Sequence, residues 1–327
     1  MALLEIENLK TYYYTLKGPV KAVDDVSLTL ERGRILGVAG ESGCGKSTLA
    51  WSILGMVPPP GKIVSGSIVV DGVDVTKLSE DEIRRKIRWK KVSMIFQGAM
   101  NSLNPVYTAG AQIEEVLRYH GGMSRVEARN RVYELLESVG LDRSIANRYP
   151  HELSGGQKQR VVISMALALE PDIVIADEPT TALDVVVQAQ ILNLVKRLQR
   201  EKGISVILIT HDLAVIAELS DYVAIMYAGK IAEYGPSENI FYKPRHPYTY
   251  LLMKSVPKLK GSKEALAYIP GQPPDLINPP KGCRFAPRCP WAMEVCSRDP
   301  EEVEVEKEHR VACWLEKTGG MRAKLGF

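Results

Sequence analysis

Residues 34–48 read RILGVAGESGCGKST, and this stretch decides the fold. An apolar run, Arg34–Ala39, leads into GESGCGKS at 40–47, which fits G-x-x-x-x-G-K-[ST] at every fixed position. A helical pattern, Ser47–Leu54, follows at once. A strand, a glycine-rich loop and a helix start are the context in which such a loop closes on phosphate. Gly40, Gly43 and Gly45 let backbone N–H groups approach phosphate oxygens, and the helix N-terminus adds positive potential. Ser42, Cys44 and Thr48 complete the loop. Lys46 is expected to reach the β- and γ-phosphates of a nucleotide, and Ser47 to give an oxygen to Mg²⁺. An ordinary glycine-rich turn would not match every fixed position in this setting. Cys44 is read as a small side chain that fits the loop, with a reactive thiol as the alternative.

Working outward, residues 173–178 read IVIADE, an apolar strand ending in two acids. Beside a phosphate loop this is the expected metal end of the site, with Asp177 toward Mg²⁺ and Glu178 polarising a water. Further strands are expected at Ser67–Val70, Val92–Phe96 and Ser205–Ile209. Ile173–Ala176 and Ser205–Ile209 are nearly continuous apolar runs, as central parallel strands covered on both faces should be. Asp71-Gly72 and Ala228-Gly229 signal hairpins that add antiparallel strands. From Gln97 to about Val161 the pattern is mainly helical. Ser124 and Glu127 form a capping box before a helix ending at Gly140 that carries Val132, Leu135, Leu136 and Val139 at helical spacing.

Residues 153–157 read LSGGQ. Ser154 is a good N-cap, and Gly155 and Gly156 expose N–H groups at a helix start, which makes a second anion site on one chain. With this motif the sequence resembles the ATP-binding-cassette (ABC) ATPases. The resemblance implies a head-to-tail dimer in which Ser154, Gly155, Gly156 and Gln157 act on the partner's nucleotide. It gives Gln97 the role of contacting Mg²⁺ and the attacking water, Ala182-Leu183-Asp184 that of the D-loop, and His211 that of holding the γ-phosphate and water. Tyr13 resembles the aromatic residue that stacks on adenine, with Tyr12 and Tyr14 beside it. Mg²⁺ would be held through Ser47, Gln97 and Asp177, and Glu178, His211 and Gln97 would carry hydrolysis. No catalytic element is degenerate, so the chain is expected to hydrolyse ATP. The implied fold is α/β: a P-loop NTPase ABC cassette with a RecA-like core, an antiparallel β subdomain and an inserted α-helical subdomain. A small proline-rich metal-cluster extension would follow it.

The C-terminal quarter has a different character. Eleven of the 20 prolines lie between Pro244 and Pro300, and four of the 5 cysteines lie beyond residue 282. Pro257, Pro270, Pro273, Pro274, Pro279 and Pro280 exclude long helices and central strands there. HPYTYLL at 246–252 reads as a helix start with Tyr248 and Leu251 in a core. With IPGQPPDLINPP at 269–280 and CRFAPRCP at 283–290, it resembles the extension of dipeptide/oligopeptide importer ATPases, the D-type subunit most of all. Nickel and glutathione importers share much of the pattern. The cysteine spacing is C-x5-C-x6-C-x16-C, without the C-x2-C knuckles usual in zinc ribbons. Clustered cysteines in such a chain argue for metal before disulfide. The resemblance favours a [4Fe–4S] cluster on Cys283, Cys289, Cys296 and Cys313, with zinc, no metal or a disulfide as alternatives. A cluster would staple a tail too proline-rich for a core of its own.

Composition bounds the rest. The 327 residues are 45% hydrophobic and 25% charged, which is globular, and length alone suggests about two domains. The motifs revise this to a cassette over 1–240, with its helical subdomain at about 98–161, and an extension over 241–327. Lys+Arg 42 against Asp+Glu 39 gives +3, too balanced to suggest a nucleic-acid or membrane-surface protein. The basic stretch Arg84, Arg85, Lys86, Arg88, Lys90 and Lys91 is read as a solvated face. Apolar stretches such as Val161–Ile163 and Met165–Leu169 fall far short of the ~18 residues of a membrane span. Glu5 and Glu7 sit where a signal peptide needs an apolar run.

The resemblance implies as partners two transmembrane permease subunits, a second ATPase subunit or a second copy of this chain, and an external solute-binding protein. Segments from Gln97 to His120, including residues 101–108, would receive a permease helix. The chain would sit peripherally on the cytoplasmic face of the membrane, driving peptide import. A nickel or other small-solute importer is the alternative, and a soluble ABC ATPase in translation or cluster assembly a more distant one.

Overall fold

The computed structural model describes residues 2–98, 102–181, 183–255 and 269–318. In chain order the principal elements begin with β1 (Ala2–Thr15), β2 (Gly18–Glu31), β3 (Ile35–Ala39), α1 (Lys46–Ile53), β4 (Gly61–Val70) and β5 (Val73–Asp74). Then come α2 (Glu80–Glu82), β6 (Val92–Ile95), α3 (Ala109–Tyr119), α4 (Arg125–Ser138), α5 (Gly155–Ala166), β7 (Ile173–Asp177) and α6 (Val185–Lys202). After β8 (Ser205–Ile209) follow α7 (Leu213–Leu219), β9 (Tyr222–Tyr227), β10 (Lys230–Pro236), α8 (Ser237–Tyr242) and α9 (Pro247–Lys254). The chain closes with β11 (Val303–Glu306), β12 (His309–Val311) and α10 (Trp314–Lys317). Two compact units share it. One contains residues 1–3, 31–34 and 70–209, and the other residues 4–30, 35–69 and 210–327.

In the first unit, β6, β7 and β8 form a parallel set in that spatial order, with Val92 opposite Ile173 and Ile173 opposite Ser205. Every residue of β7 and β8 is buried, as their unbroken apolar runs require. Helices α3, α4 and α5 occupy the segment expected to be helical. Helix α4 starts at the Ser124–Glu127 capping box, in which Ser124 Oγ accepts the Glu127 N–H and Glu127 accepts the Ser124 N–H. Its Val132, Leu135 and Leu136 are buried. At about 2 kcal/mol per buried side chain, this outweighs the ~1 kcal/mol of the cap.

In the second unit, β2, β1 and β4 form one sheet. A second runs β11-β12-β10-β9-β3: β3 and β9 pair in parallel, and the other pairs are antiparallel. The Ala228-Gly229 turn joins β9 to β10, as its hairpin signal predicts.

The tail departs from expectation in two ways. After the proline run it forms two short strands, β11 and β12, and β12 covers the edge of β10. It also does not stand apart from the core. Tyr248 and Phe285 are among the largest fully buried side chains, and they pack with Ala39, Ile225 and Tyr227. A smaller cluster gathers Val311, Cys313 and Leu315 beneath Trp291. Composition missed this because the tail borrows apolar surface from the strands it covers.

Candidate nucleotide and cysteine sites

The glycine-rich loop lies in the second unit, between β3 and α1. Gly45 precedes α1 at φ 110°, and a Cβ there would stand 2.1 Å from the Ala22 carbonyl oxygen. Only glycine meets both demands. No side chain caps α1, so its first-turn N–H groups are not claimed by a side-chain acceptor. Lys46, 8% exposed, turns its Nζ back to the carbonyls of Gly40 and Glu41 at 2.8 and 3.1 Å. These bonds fold the Lys46 side chain back onto the start of the loop. Cys44 is buried with its Sγ 3.7 Å from Lys46 Nζ, and burial pushes its thiol pKa up. That fits the small-side-chain reading of Cys44 and not the reactive one.

Tyr12 donates its hydroxyl to Asp24 at 2.5 Å. The Tyr13 ring lies against Gly61, with its hydroxyl buried, while Tyr14 is 49% exposed. His211, which is exposed, lies between β8 and α7. Its neighbour Asp212 caps α7 by accepting the Ala214 N–H at 2.9 Å.

The acidic strand lies in the first unit. Asp177 ends β7 and is 2% exposed. Glu178 turns the chain at φ 46° and donates its N–H to the Ile209 carbonyl at 2.8 Å. Its carboxylate accepts from Gln97 Nε2 at 2.9 Å and from Thr181 Oγ1 at 3.0 Å. Gln97 and Glu178, 81 residues apart, are thus brought together. Thr181 is a partner the sequence reading missed, although it stands three residues beyond Glu178.

The LSGGQ segment opens α5. Ser154 and Gln157 cap each other reciprocally, and Ser154 and Gly155 are exposed. Gly156 is needed for packing, because a Cβ would meet Val187 of α6 at 2.9 Å. Asp184 caps α6 by accepting the Val187 N–H at 2.9 Å. Ala182 lies outside the described residues, as does Asn101 of the proposed docking segment. Beyond Asn101, Val106, Tyr107 and Tyr119 present apolar surface on α3 and the turn before it. The basic stretch is spent on ion pairs: Arg84 with Asp81, Lys86 with Glu82, Arg88 with Glu80, and Lys91 with Asp71 and Asp172. That supports the solvated-face reading.

Oxygen donors of the kind Mg²⁺ prefers, the Ser47 hydroxyl and the Asp177 carboxylate, stand in the loop and at the end of β7. None of the five cysteines is in a disulfide, against the disulfide alternative. Burial pushes the Cys313 thiol up to about 12, and the neighbouring sulfurs of Cys283, Cys289 and Cys296 add to the rise. The all-thiol chemistry of these cysteines fits a soft metal group, which would relieve the cost of thiolates there. Among the described residues, however, no three His, Cys, Asp or Glu are arranged as a ligand set. The described residues thus do not show the expected cluster site. Among the described residues no helix is long and apolar enough to cross a membrane.

The comparisons agree with this anatomy. The ABC transporter family matches residues 23–181, and the oligopeptide/dipeptide transporter C-terminal region matches residues 232–296. The dipeptide transport ATP-binding protein DppD of Bacillus subtilis is 49% identical over 318 residues, covering 96% of this chain and 95% of that protein. The oligopeptide transport ATP-binding protein OppD of Escherichia coli is 45% identical over 315 residues, covering 96% and 93%. Among solved structures, a dimeric bacterial ABC transporter cassette superposes with a TM-score of 0.64 at 33% identity, covering 72% of this chain and 98% of that one. The same cassette in a post-hydrolysis state with ADP and Pi gives 0.62 at 32% identity. A phosphate loop, an acid-ended strand, a capped LSGGQ helix and a tail matched in its own right together place the chain in the ABC transporter family, among the dipeptide and oligopeptide transport ATP-binding proteins.

Proposed function

We propose that this chain is the ATP-hydrolysing subunit that powers import of di- and oligopeptides through an ABC transporter. The observation that carries the reading is that the likeness covers the tail as well as the cassette. A cassette alone would serve any ABC transporter, whereas the tail has a C-terminal match of the peptide-transporter type. The cassette would span 1–240, with its helical subdomain at about 98–161, and the extension 241–327.

The chemistry is in-line attack of water on the γ-phosphate, governed by positioning and charge neutralisation. Gly40, Ser42, Gly43, Cys44, Gly45, Lys46, Ser47 and Thr48 would cradle the phosphates, and Tyr13 would stack on adenine. Glu178, steadied by Gln97 and Thr181, would orient the water. His211 would hold the γ-phosphate. Mg²⁺, held by Ser47, Gln97 and Asp177, would neutralise charge on the phosphates. Ser154 to Gln157 and Asp184 would act across a dimer with a homologous ATPase or a second copy. The α3 face would receive a helix of one of two permease subunits at the cytoplasmic side of the membrane, and an external binding protein would deliver peptide. Cys283, Cys289, Cys296 and Cys313 would hold a [4Fe–4S] cluster, with zinc as the alternative, cross-linking the tail.

The test is the assembled transporter in proteoliposomes. Peptide uptake should require ATP, and Glu178→Gln should abolish turnover while ATP still binds and the dimer still closes. Normal turnover by that variant, or ATP-driven uptake of nickel in place of peptide, would overturn the reading. Anaerobic purification with a visible-absorption scan tests the cluster; a colourless protein with stoichiometric zinc would refute it.

A further inference from the structure

The segment CRFAPRC at 283–289 carries two nearly buried arginines, and both lead to the phosphate loop. Arg288 forms a two-pronged ion pair with Glu41, the second residue of the loop. Its Nη1 lies 2.6 Å from Glu41 Oε2 and its Nη2 3.0 Å from Oε1. The remaining donors are engaged too: Nε donates to the Pro270 carbonyl at 2.7 Å, and Nη1 also reaches the Tyr227 hydroxyl at 3.1 Å. The guanidinium is thereby locked in orientation, with no rotamer freedom left to lose. Glu41 is fixed at its other polar atoms as well. Its N–H donates to the Tyr248 hydroxyl at 2.9 Å, and its carbonyl accepts from Lys46. Arg284 works from the other side. It donates to Asp24, the acceptor of Tyr12, and to the Ala228 carbonyl, while the Gly229 N–H of that turn donates to the Cys44 carbonyl at 2.9 Å.

A glycine-rich loop loses much conformational freedom when it closes on an anion. A clamp that sets its shape beforehand removes that cost from binding. A buried ion pair is by itself weak evidence of stabilisation. This one joins residues 247 positions apart and ends on the loop that takes phosphate. We propose that Arg288 is a positioning residue for ATP, holding the loop through Glu41 in its phosphate-receiving shape. The proposal rests on the reading of residues 40–47 as the ATP site.

The experiment measures MgATP affinity of the full chain by calorimetry and steady-state hydrolysis in the assembled transporter. Arg288→Gln should weaken ATP binding and raise KM by about 10- to 100-fold, with kcat changed far less. Arg288→Lys, which keeps the charge and loses the fork, should recover part of the affinity. Glu41→Gln should match Arg288→Gln, and the double variant should lose no more than either single. Glu41 is partly exposed, so its variant also serves if the arginine variant fails to fold. Lys46→Ala is the reference. If it abolishes binding while Arg288→Gln and Glu41→Gln bind within twofold of the parent, the clamp is refuted and the site stands. If Lys46→Ala binds as the parent does, the site reading itself falls. A loss confined to kcat, or a double variant that adds the two single losses, also refutes the clamp.

Discussion

Replacing Glu233 by glutamine should cost the tail its anchor. Glu233 lies on β10 with no exposed surface. One carboxylate oxygen accepts the Arg245 N–H and His309 Nε2, each at 2.7 Å, and the other accepts the His246 N–H at 2.8 Å. One side chain thus holds the start of α9 and the strand β12. A glutamine offers one oxygen and one NH₂ group. In one orientation the NH₂ faces the His246 N–H, and in the other it faces the Arg245 N–H. Either way one buried backbone donor is orphaned, at about 2 kcal/mol. The surviving bonds also lose their charge assistance, about 1 kcal/mol more. The total, about 3 kcal/mol, should move a urea midpoint by about 1 M for a slope of ~3 kcal/mol/M. Tryptophan fluorescence suits the assay, because Trp291 and Trp314 lie in the tail, Trp291 stacked edge-on with Tyr250. A midpoint within 0.2 M of the parent's, corresponding to about 0.6 kcal/mol, would refute the three-donor account.

Other consequences can be checked with simpler measurements. Gly45→Ala, forced into a left-handed φ and against the Ala22 carbonyl, should remove detectable ATP binding in equilibrium dialysis. Asp184→Ala should cost only about 1 kcal/mol in thermal unfolding, the value of one N-cap, so a larger loss of hydrolysis would mark its action across a dimer. Burial holds His246 down at about 4, against an ordinary 6.5. The unfolded chain takes up this proton near pH 6.5 and the folded chain only near pH 4. Stability is therefore full above about 6.5 and falls by up to about 3 kcal/mol as the pH drops through that window. His246→Asn, whose side chain can still accept the Tyr248 N–H, should flatten that acid limb in denaturant titrations; an unchanged slope would refute it.

The motif-bearing half of the site was legible because phosphate chemistry fixes residue types at fixed spacing. Lys46, Asp177, Glu178 and Ser154 stand where their local sequence predicts, on strand ends and helix starts. The hairpin at Ala228-Gly229 and the cap at Ser124 were legible for the same reason: each is decided within a few residues. What was hidden is set by distance along the chain. Arg284 and Arg288 fall between two cysteines, and nothing near them in sequence names Asp24 or Glu41 as partners. The strands β11 and β12 are too short to show a period, and they exist because β10 offers them an open edge. The tail's core was invisible for a like reason, since Phe285 is buried by residues of β9 and α9 and not by its neighbours.

The contact between Glu41 and Arg288 also has a consequence in time. A ribosome makes the phosphate loop within the first fifty residues and the arginine 247 residues later. At about 5–20 residues per second, the loop waits on the order of ten seconds to a minute for its clamp. A chain cut short anywhere in that interval, by a stalled ribosome or a premature stop, carries the loop without the arginine that grips it. The order of synthesis thus becomes a check on the loop, because only a chain made past Arg288 can grip it.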